Sequence, residues 1–442
     1  MQFKRWLIKT KICLVFMSNT KFKDYEKIKK LFNFKHKNVY YNKILTPEFI
    51  KIVYFEDLFS KMTFYDFFKI FFSQICFKQI KESFEVNDIL VTNANDRNDT
   101  LELISSCLGS IKKYGHVRLS SLNRFTALNH NFKDIYECFA FFFSKENSEY
   151  SFKIKLYLAV STMSYINAYK SLFNLMANVN LTDKKYVAFN SAYDLESLIT
   201  QYFKSRGVKT YHLSHGLSYI KYNIFQPFDC VTGENINADT ILVWGESSES
   251  DLLTNYPKTV KNKSIIVAGN AKYPLKLISL KNKFKNCIVF LARNIYDKEN
   301  LELLKLIGKV SINTGIQFSV KCHPFSDENA IKIIANKYNL ELLPKALTIT
   351  ELLNCNKYDF SICYNTTVYY EAMYYDMFCF RYVRGENENY IGLNDRFLNE
   401  MELEKLIELY RNKDLSEVSK QAEVLLTKTL GYGINKYKII FS

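Results

Sequence analysis

The sequence predicts an α/β protein with two doubly wound domains, in which helices cover both faces of a parallel sheet. Along most of the chain, short apolar runs alternate with segments of helical periodicity. The clearest example is the succession "KKYVAFN", "SAYDLESLITQYFKSRG" and "VKTYHLSHG" in 184–216, which has the pattern of strand, helix and strand. Such a βαβ unit implies parallel strands. We expect Ser191 to cap its helix and Gly207 to end it.

The length of 442 residues predicts more than one domain, because a single hydrophobic core stops growing at about 250–300 residues. We expect an N-terminal domain at 1–235 and a C-terminal domain at 236–400, divided within the segment 222–240. Helices in 401–442 are expected to cross back to the first domain.

The first half of the chain mixes predicted strands with helices. One helical region, 132–178, is interrupted near "SKENSEY". The aromatic stretch 64–81 is amphipathic, and we favour a helix packed on the sheet over one lying on a membrane surface. The N-terminal apolar run is too short for a signal peptide and is interpreted as a first strand. Further strands are expected at 38–42, 49–55, 88–93 and 116–122.

The second half repeats the alternation of strand and helix more regularly. Its apolar runs are nearly continuous, as expected for parallel strands buried on both faces. The expected strands lie within 240–256, 263–273, 286–293, 316–327, 358–365 and 377–383.

The net charge of +15 indicates an anionic partner, which can be nucleic acid, a membrane surface or a phosphorylated substrate. The lysines are scattered along the chain, and the sequence lacks zinc-finger, RNP-type and basic-zipper motifs. Nucleic acid is therefore the least favoured of the three partners.

Ten cysteines occur without a CxxC motif, mostly inside apolar runs, which predicts buried thiols in a reducing compartment. No run reaches the roughly 18 apolar residues that a membrane-spanning helix needs. These observations predict a cytoplasmic protein, in peripheral contact with the membrane if the aromatic stretch lies on it.

His323, in "VKCHPFSD", is predicted to lie at the carboxyl end of a strand. The following proline stiffens the turn. In a parallel α/β sheet this end lines the ligand crevice, where an imidazole can bind a phosphate oxygen. The alternative is a histidine whose hydrogen bonds are satisfied in the core, and we favour the functional role because of its position.

The segment "YNTTVYYEAMYYD" places Asn365, Thr366 and Thr367 between a strand and a helix. Hydroxyl groups and the free N–H groups of a helix start bind phosphate. Capping the helix would need only one of the three residues, so a phosphate site is the sharper interpretation. Glu371, one turn later, either binds a sugar hydroxyl or is simply a solvated helix residue.

The motif "HLSHG" puts His212 and His215 three positions apart as a strand runs into a turn. This spacing argues against a shared metal ion, and no DxD-type cluster follows a predicted strand. We therefore expect metal-independent chemistry. His215, beside a Gly216 that permits a tight turn, can act as the general base on an acceptor hydroxyl.

At "SHG", "KCHP" and "YNTT" the sequence resembles GT-B-fold transferases that build bacterial surface polysaccharides. Two groups share the pattern: enzymes like the CDP-glycerol glycerophosphotransferases, with a His-Gly after an N-domain strand, and the bacterial sialyltransferases and polysialyltransferases, with a His-Pro motif. "ILVWGESSESDLL" with "IIVAGNAKY" is similar to the linker and first strand of a second GT-B domain. The resemblance covers roughly 184–385.

The resemblance implies two domains that face each other across a cleft, with nucleotide phosphate bound by the second. The corresponding phosphate-binding residues are His323, Asn365, Thr366, Thr367, Glu371, Lys321, Arg293, Gly269 and Asn270. On the acceptor side it implies His215 as base, with Gly216 and His212 beside it. The sialyltransferases carry an acidic residue before the glycine, so Asp194 and Glu196 are alternative bases here.

These features predict an inverting, metal-independent glycosyltransferase without a cofactor. Its donor would be a nucleotide-activated sugar, with CMP-linked sugars among the candidates, and its acceptor a capsular or lipooligosaccharide glycan or glycolipid. Two alternatives stay open. One is a CDP-polyol phosphotransferase, which uses the same fold and histidines but attacks phosphorus. The other is a basic binding module without enzymatic activity.

Overall fold

The computed structural model describes residues 19–55, 59, 61–94, 98–111, 113–126, 131–214, 216–217, 227–293, 296–324, 326, 328–384 and 391–442. These residues form two compact units. The first unit comprises the described residues up to Pro274 together with Gly433–Ser442, and the second unit comprises Leu275–Tyr432.

The first unit combines a parallel sheet with a thick helical layer. Its elements before Pro274 are α1 (Asn19–Leu31), β1 (Lys35–His36), β2 (Val39–Tyr40), α2 (Tyr41–Ile44), α3 (Thr46–Tyr54), α4 (Phe64–Phe71), β3 (Ser73–Ile75), α5 (Lys78–Val86), β4 (Ile89–Asn93), α6 (Asn98–Leu108), β5 (Tyr114–Arg118), β6 (Arg124–Thr126), α7 (Phe132–Phe142), α8 (Phe152–Met176), β7 (Lys185–Ala188), α9 (Asp194–Ser205), β8 (Lys209–Leu213), α10 (Pro227–Asn235), β9 (Thr240–Val243), α11 (Glu246–Asn255), α12 (Pro257–Val260) and β10 (Ser264–Val267).

Six described strands of the first unit form one sheet in the order β10-β9-β8-β7-β4-β5, and every pair in it is parallel. The chain leaves β4 towards β5 on one side and leaves β7 towards β8 on the other. The strand order therefore reverses between β4 and β7, which is the position where open α/β sheets form a ligand crevice beyond the carboxyl ends of the strands.

The helical layer of the first unit is built around α8, whose 25 residues are apolar on most of their circumference. Thirteen of its side chains are buried, as expected for a helix surrounded by other elements. Ser151 caps it by accepting a hydrogen bond from the Ile154 N–H at 3.4 Å. The layer and the sheet share one hydrophobic core.

Two local predictions in this unit were wrong. The segment 49–55, expected as a strand, lies in α3, because Pro47 starts a helix and the buried Phe49, Ile52 and Val53 fall on one helical face. The segment 64–81 is not one helix but α4, β3 and the start of α5. The predicted N-terminal strand lies outside the described residues.

The second unit is a smaller doubly wound domain. Its elements are β11 (Asn286–Phe290), α13 (Asp297–Thr314), β12 (Gln317–Lys321), α14 (Glu328–Lys337), β13 (Glu341–Leu342), α15 (Ile349–Asn354), β14 (Phe360–Cys363), α16 (Val368–Tyr374), β15 (Phe378–Tyr382), β16 (Arg396–Phe397), α17 (Glu400–Arg411) and α18 (Ser416–Thr429).

Its six described strands are all parallel, in the order β13-β12-β11-β14-β15-β16. The chain leaves β11 towards β12 and leaves β14 towards β15, so the strand order reverses between β11 and β14. Nearly every residue of β11, β14 and β15 is buried. The predicted class, two doubly wound α/β domains, is confirmed, and the cleft between them stays a prediction.

The division between the units differs from the predicted boundary at 235/236. Strand β9 pairs with β8, and β10 pairs with β9 at the edge of the first sheet, so the first unit continues to Pro274. The last ten residues, with helix α19 (Tyr437–Phe441), belong to this unit. There the Tyr437 hydroxyl donates to the Gly269 carbonyl at 2.8 Å. Helices α17 and α18 belong to the second unit.

None of the described helices is both long and apolar enough to cross a membrane. The nine described cysteines form no disulfide, and seven of them are buried.

Candidate functional site

Polar and aromatic residues meet where the strand order of the second sheet reverses. Phe290, the last residue of β11, pairs with Cys363, the last residue of β14. The loops that follow these two residues therefore begin side by side. Across them the rings of Tyr296 and Tyr364 lie 5.7 Å apart at 85°. Tyr364–Thr367 are all half-buried, so they line an accessible edge of the sheet.

The loop after β11 is held by a buried amide. Asn300 in α13 donates from Nδ2 to the Ala292 carbonyl at 2.9 Å and accepts at Oδ1 from the Ala292 N–H at 3.0 Å. This two-point contact satisfies the backbone that continues from the strand. It fixes the place at which the half-buried Arg293 leaves the sheet.

The loop after β14 turns sharply into α16. Asn365 has a φ of +44°, a region that asparagine tolerates better than most residues. The Thr366 hydroxyl accepts from the Val368 N–H at 3.4 Å, and the Thr367 hydroxyl donates to Glu371 Oε1 at 3.5 Å. The predicted order of Asn365, Thr366 and Thr367 before a helix is thus present. Glu371 contacts Thr367, and α16 is only seven residues long.

Arg384 is a member of this site that the sequence reasoning missed. It follows β15, the strand next to β14, and its Nη1 contacts Glu302 at 3.2 Å and Glu299 at 3.4 Å in α13. Burial and then the charge of Glu299 raise the pKa of the nearby Tyr364, while Arg384 opposes that shift. The sequence feature that could have identified Arg384 is its position directly after the predicted strand "MFCFRYV".

Lys321 and His323 lie at the end of β12, next to β11. Lys321 is buried, and its ammonium donates to the carbonyl oxygens of Pro344 at 3.0 Å and Lys345 at 2.9 Å. Burial lowers its pKa. Lys321 therefore holds the loop after β13, a role the sequence did not suggest. His323 is half-buried, and its carbonyl accepts from the Ser326 N–H at 3.0 Å.

In the first unit, the loop after β7 is organised by Glu196. This fully buried carboxylate accepts from the N–H groups of Phe189 at 2.9 Å and Asn190 at 3.1 Å, and from the Thr92 hydroxyl at 3.4 Å. Burial raises its pKa well above the usual range, although these hydrogen bonds lower it. Glu196 thus fixes the backbone of Phe189 and Asn190 beyond the carboxyl end of β7.

His212 is also buried and structural in its contacts. Its Nδ1 accepts from the Ser191 N–H at 3.2 Å and lies 3.1 Å from the Ser191 hydroxyl. Asn237 donates to the Ser191 carbonyl at 3.1 Å and to the Ser197 hydroxyl. The predicted N-cap, Ser191, therefore ties the loop after β7 to β8 and to the loop before β9. The N-cap of α9 is Tyr193, without a side-chain cap.

Asp194 lies at the start of α9, beyond the carboxyl end of β7. It is half-buried, has a φ of +57°, and accepts at Oδ1 from the Tyr165 hydroxyl at 2.7 Å and the Leu195 N–H at 2.8 Å. Burial, followed by the charges of Asp194 and Glu48, raises the pKa of Tyr165 well above its usual value. Lys51 contacts Glu48 at 3.3 Å.

Glu48, Lys51 and Tyr165 were absent from the predicted site. The contacts of Glu48 and Lys51 depend on α3, which places two residues three positions apart on the same side. The predicted strand 49–55 contained Lys51 but not Glu48, so the sequence reasoning gave no ground for placing the two side chains together. A correct helix assignment would have been the signal.

His215, the predicted base, lies outside the described residues. Gly216 beside it is half-buried, its φ does not fall in the left-handed region, and a Cβ added there would meet no atom within 4 Å. Neither backbone conformation nor space requires glycine at this position.

Gly269 and Asn270, expected among the nucleotide-binding residues of the second domain, lie in the first unit. Gly269 has a φ of +87°, and an added Cβ would stand 1.9 Å from the Ile434 carbonyl oxygen. Asn270 is buried, and its Oδ1 accepts from the Lys272 N–H at 3.1 Å. The glycine is needed because the C-terminal segment packs directly against this turn.

Within the described part of the chain, no group of three His, Cys, Asp or Glu side chains is arranged to hold a metal ion.

Two doubly wound units, each built on a parallel six-stranded sheet with polar side chains where its strand order reverses, define a two-domain α/β protein. No protein-family model and no curated protein sequence matches the chain. Solved structures similar to it include the S. aureus MnaA–UDP co-structure, with 12% identity over 80% of this chain and 94% of that one, at a TM-score of 0.46. The UDP-GlcNAc 2-epimerase from Methanocaldococcus jannaschii has 13% identity over 80% and 97%, also at 0.46. Trehalose-6-phosphate synthase OtsA has 10% identity over 80% and 98%, again at 0.46.

Proposed function

We propose that this chain is an inverting, metal-independent glycosyltransferase that moves a sugar from a nucleotide-activated donor to a glycan or glycolipid. The observation that carries the proposal is the arrangement at the reversal point of the second sheet, where the loops bearing Arg293 and Tyr364–Thr367 begin side by side and Arg384 lies near Tyr364. Cationic guanidinium groups, hydroxyls and an aromatic pair are the groups that a nucleotide diphosphate or monophosphate requires.

The second unit would bind the donor. In this proposal Arg293 and the Thr366 and Thr367 hydroxyls contact the phosphate, and the Tyr296–Tyr364 pair borders the nucleoside. His323, half-buried one strand away, would stabilise the negative charge that gathers on the leaving phosphate. Lys321 would stabilise the phosphate through its charge and without direct contact, because its ammonium group already donates to two carbonyl groups.

The first unit would bind the acceptor. His215 stays the predicted base. Asp194 is the alternative that the geometry supports better than Glu196, because Asp194 is half-buried at the crevice whereas Glu196 is enclosed by its hydrogen bonds. A carboxylate held by a tyrosine hydroxyl can orient an acceptor hydroxyl or accept its proton.

We further propose contact with an anionic bacterial membrane on its cytoplasmic side, where a capsular or lipooligosaccharide acceptor would be presented. Helix α4 supports this proposal, because Phe64, Tyr65 and Phe68 are 78%, 72% and 60% exposed. Exposed lysines, Lys61 and Lys69, flank them. Aromatic side chains beside lysines are typical of a helix that lies at a membrane interface.

Purified protein incubated with UDP-, CMP-, GDP- and CDP-linked sugars and with CDP-glycerol tests the function. Release of nucleotide from one sugar donor, unaffected by EDTA, is expected. Release from CDP-glycerol alone would indicate phosphotransfer instead. A thermal-shift series without response to any nucleotide would favour a binding module.

A further inference from the structure

Four lysines from four segments of the first unit converge near the amino ends of β8 and β9. They are Lys29 of α1, Lys43 of α2, Lys204 of α9 and Lys263 before β10. Burial, followed by the charges of Lys204 and Lys43, lowers the pKa of Lys263 to about 8. Burial, Lys29 and Lys204 likewise lower the pKa of Lys43. The side chains of Lys29, Lys204 and Lys263 all reach the segment 234–239: Lys29 contacts Glu234 and Asn235, Lys204 contacts Asp239, and Lys263 contacts the Ala238 carbonyl.

The acidic groups around this lysine cluster do not balance it. Glu234 pairs with Lys29, and Asp239 pairs with Lys204. Within the described ranges, neither Lys43 nor Lys263 forms an ion pair with a carboxylate, and the Lys263 ammonium donates to the Ala238 carbonyl at 3.0 Å. Four lysines thus share two carboxylates, each of which is already paired with Lys29 or Lys204, so an added anion would offset the excess positive charge of Lys43 and Lys263.

A surface pocket of about 440 Å³ opens beside the cluster. Lys204 of the cluster lines this pocket, together with Asp239, Lys209, Thr210 and the backbone at Gly207. The Thr210 hydroxyl donates to Asp239 Oδ2 at 2.7 Å, which holds the carboxylate against its strand. The pocket is of the size that small ligands occupy, and its charged side chains are predominantly cationic.

We propose that the lysine cluster and this pocket form a binding site for a phosphomonoester or diphosphate group. Lysine ammonium groups bind phosphate oxygens as point charges, and such an anion would relieve the repulsion among Lys43, Lys204 and Lys263. The site lies at the amino ends of the strands, whereas the crevice of Asp194 lies beyond their carboxyl ends. We assign this phosphate to the glycan or glycolipid acceptor; that assignment rests on the proposed function, whereas the binding itself does not.

Titration calorimetry of the full chain with inorganic pyrophosphate at low salt tests the site. The Lys43→Gln/Lys263→Gln variant should bind at least about tenfold more weakly than wild type. The matched control, Lys281→Gln/Lys283→Gln, removes two exposed lysines of the second unit and should stay within about twofold. Equal affinity in the first variant, or the absence of pyrophosphate binding by wild type at millimolar concentration, overturns the proposal.

Asp239→Asn covers the case in which the double variant does not fold. It removes the pocket carboxylate and keeps every lysine, so pyrophosphate affinity should increase severalfold, and a decrease overturns the proposal.

Vesicle flotation separates the two sources of the phosphate group, a lipid headgroup and a soluble ligand. If the double variant alone loses binding to phosphatidylglycerol vesicles, the group is a lipid headgroup; if vesicle binding is unchanged while pyrophosphate binding falls, it belongs to a soluble ligand. Neither assay requires transferase activity, so a failed donor screen leaves this result standing.

Discussion

The Tyr165 hydroxyl donates a 2.7 Å hydrogen bond to Asp194, whose backbone is held at a φ of +57°. A left-handed conformation at a residue other than glycine costs about 1 kcal/mol. Asp194 adopts this conformation at the start of α9. This pair links the strand–helix pattern of 184–205 to the helical layer around α8.

Asp194→Asn tests the role proposed for this carboxylate. Asparagine tolerates the same φ and can still accept a hydrogen bond from Tyr165, so the free energy of unfolding should change by less than about 1 kcal/mol. Turnover should fall about 100-fold if the charge orients or deprotonates the acceptor. Tyr165→Phe, which keeps the carboxylate, should cost no more than about tenfold. Full activity in Asp194→Asn would remove Asp194 from the site.

The hydroxyls of Thr366 and Thr367 are predicted to bind donor phosphate. Replacing both by valine preserves shape and removes two hydrogen-bond donors, so nucleotide affinity should fall about tenfold. Titration calorimetry with the nucleotide that the donor screen identifies measures this loss. Thr350→Val, at an exposed position on α15, is the control. An unchanged affinity in the double variant would contradict the phosphate site.

The buried Arg381–Asp395 pair is predicted to stabilise the second unit. Asp395 is fully buried and accepts from Arg381 Nε at 2.8 Å and Nη2 at 2.7 Å. Asp395→Ala would leave the guanidinium buried without its partner and should lower the free energy of unfolding by at least about 3 kcal/mol. Lys420→Ala breaks the exposed pair with Glu417 and should change it by less than about 0.5 kcal/mol. Denaturant unfolding curves compare the two variants, and equal effects would contradict the prediction.

Lys263 is predicted to make stability depend on pH in the alkaline range. Its pKa in the folded state is about 8, below the usual value near 10.4 for lysine. Between these values the unfolded chain binds more protons, so this residue makes the free energy of unfolding rise with pH. Lys263→Met should remove about 1–2 kcal/mol of that rise. Unfolding curves at pH 7.5 and 10, in buffers without phosphate, measure the difference, and parallel pH profiles for both proteins would refute the assignment.

Much of the fold could be predicted from the sequence because parallel strands buried on both faces leave a strong signal. The runs "KKYVAFN", "NCIVFLAR" and "YDFSICYN" each became a central strand, and Gly207 ends α9 with a φ of +75° as predicted. The strand predicted at 49–55 was wrong because the apolar residues of this segment fit both a strand and one face of a helix. The units divide after Pro274 rather than at 235/236, because a strand's own sequence does not reveal which of two sheets it joins.

The positions of the candidate residues were predictable where the order of the elements defines them. Arg293 and Asn365–Thr367 follow strands, so their place at the edge of the second sheet follows from the order of elements. The predicted roles of Lys321, His212 and Gly269 depended on what lies next to them in space. A loop carbonyl pair, the Ser191 loop and the C-terminal segment contact these residues, and all three neighbours are distant in sequence. The roles of His215 as the base and of His323 as a phosphate ligand stay predictions.

Release of nucleotide from a sugar donor by wild type and by His323→Ala tests the central claim most directly. Wild type should release one nucleotide in proportion to the glycosylated acceptor formed. The variant should retain its thermal unfolding temperature and lose at least about 100-fold in turnover, because the leaving phosphate loses a stabilising group. Normal turnover by a folded His323→Ala protein, or the absence of sugar transfer by wild type from every donor, would contradict the account.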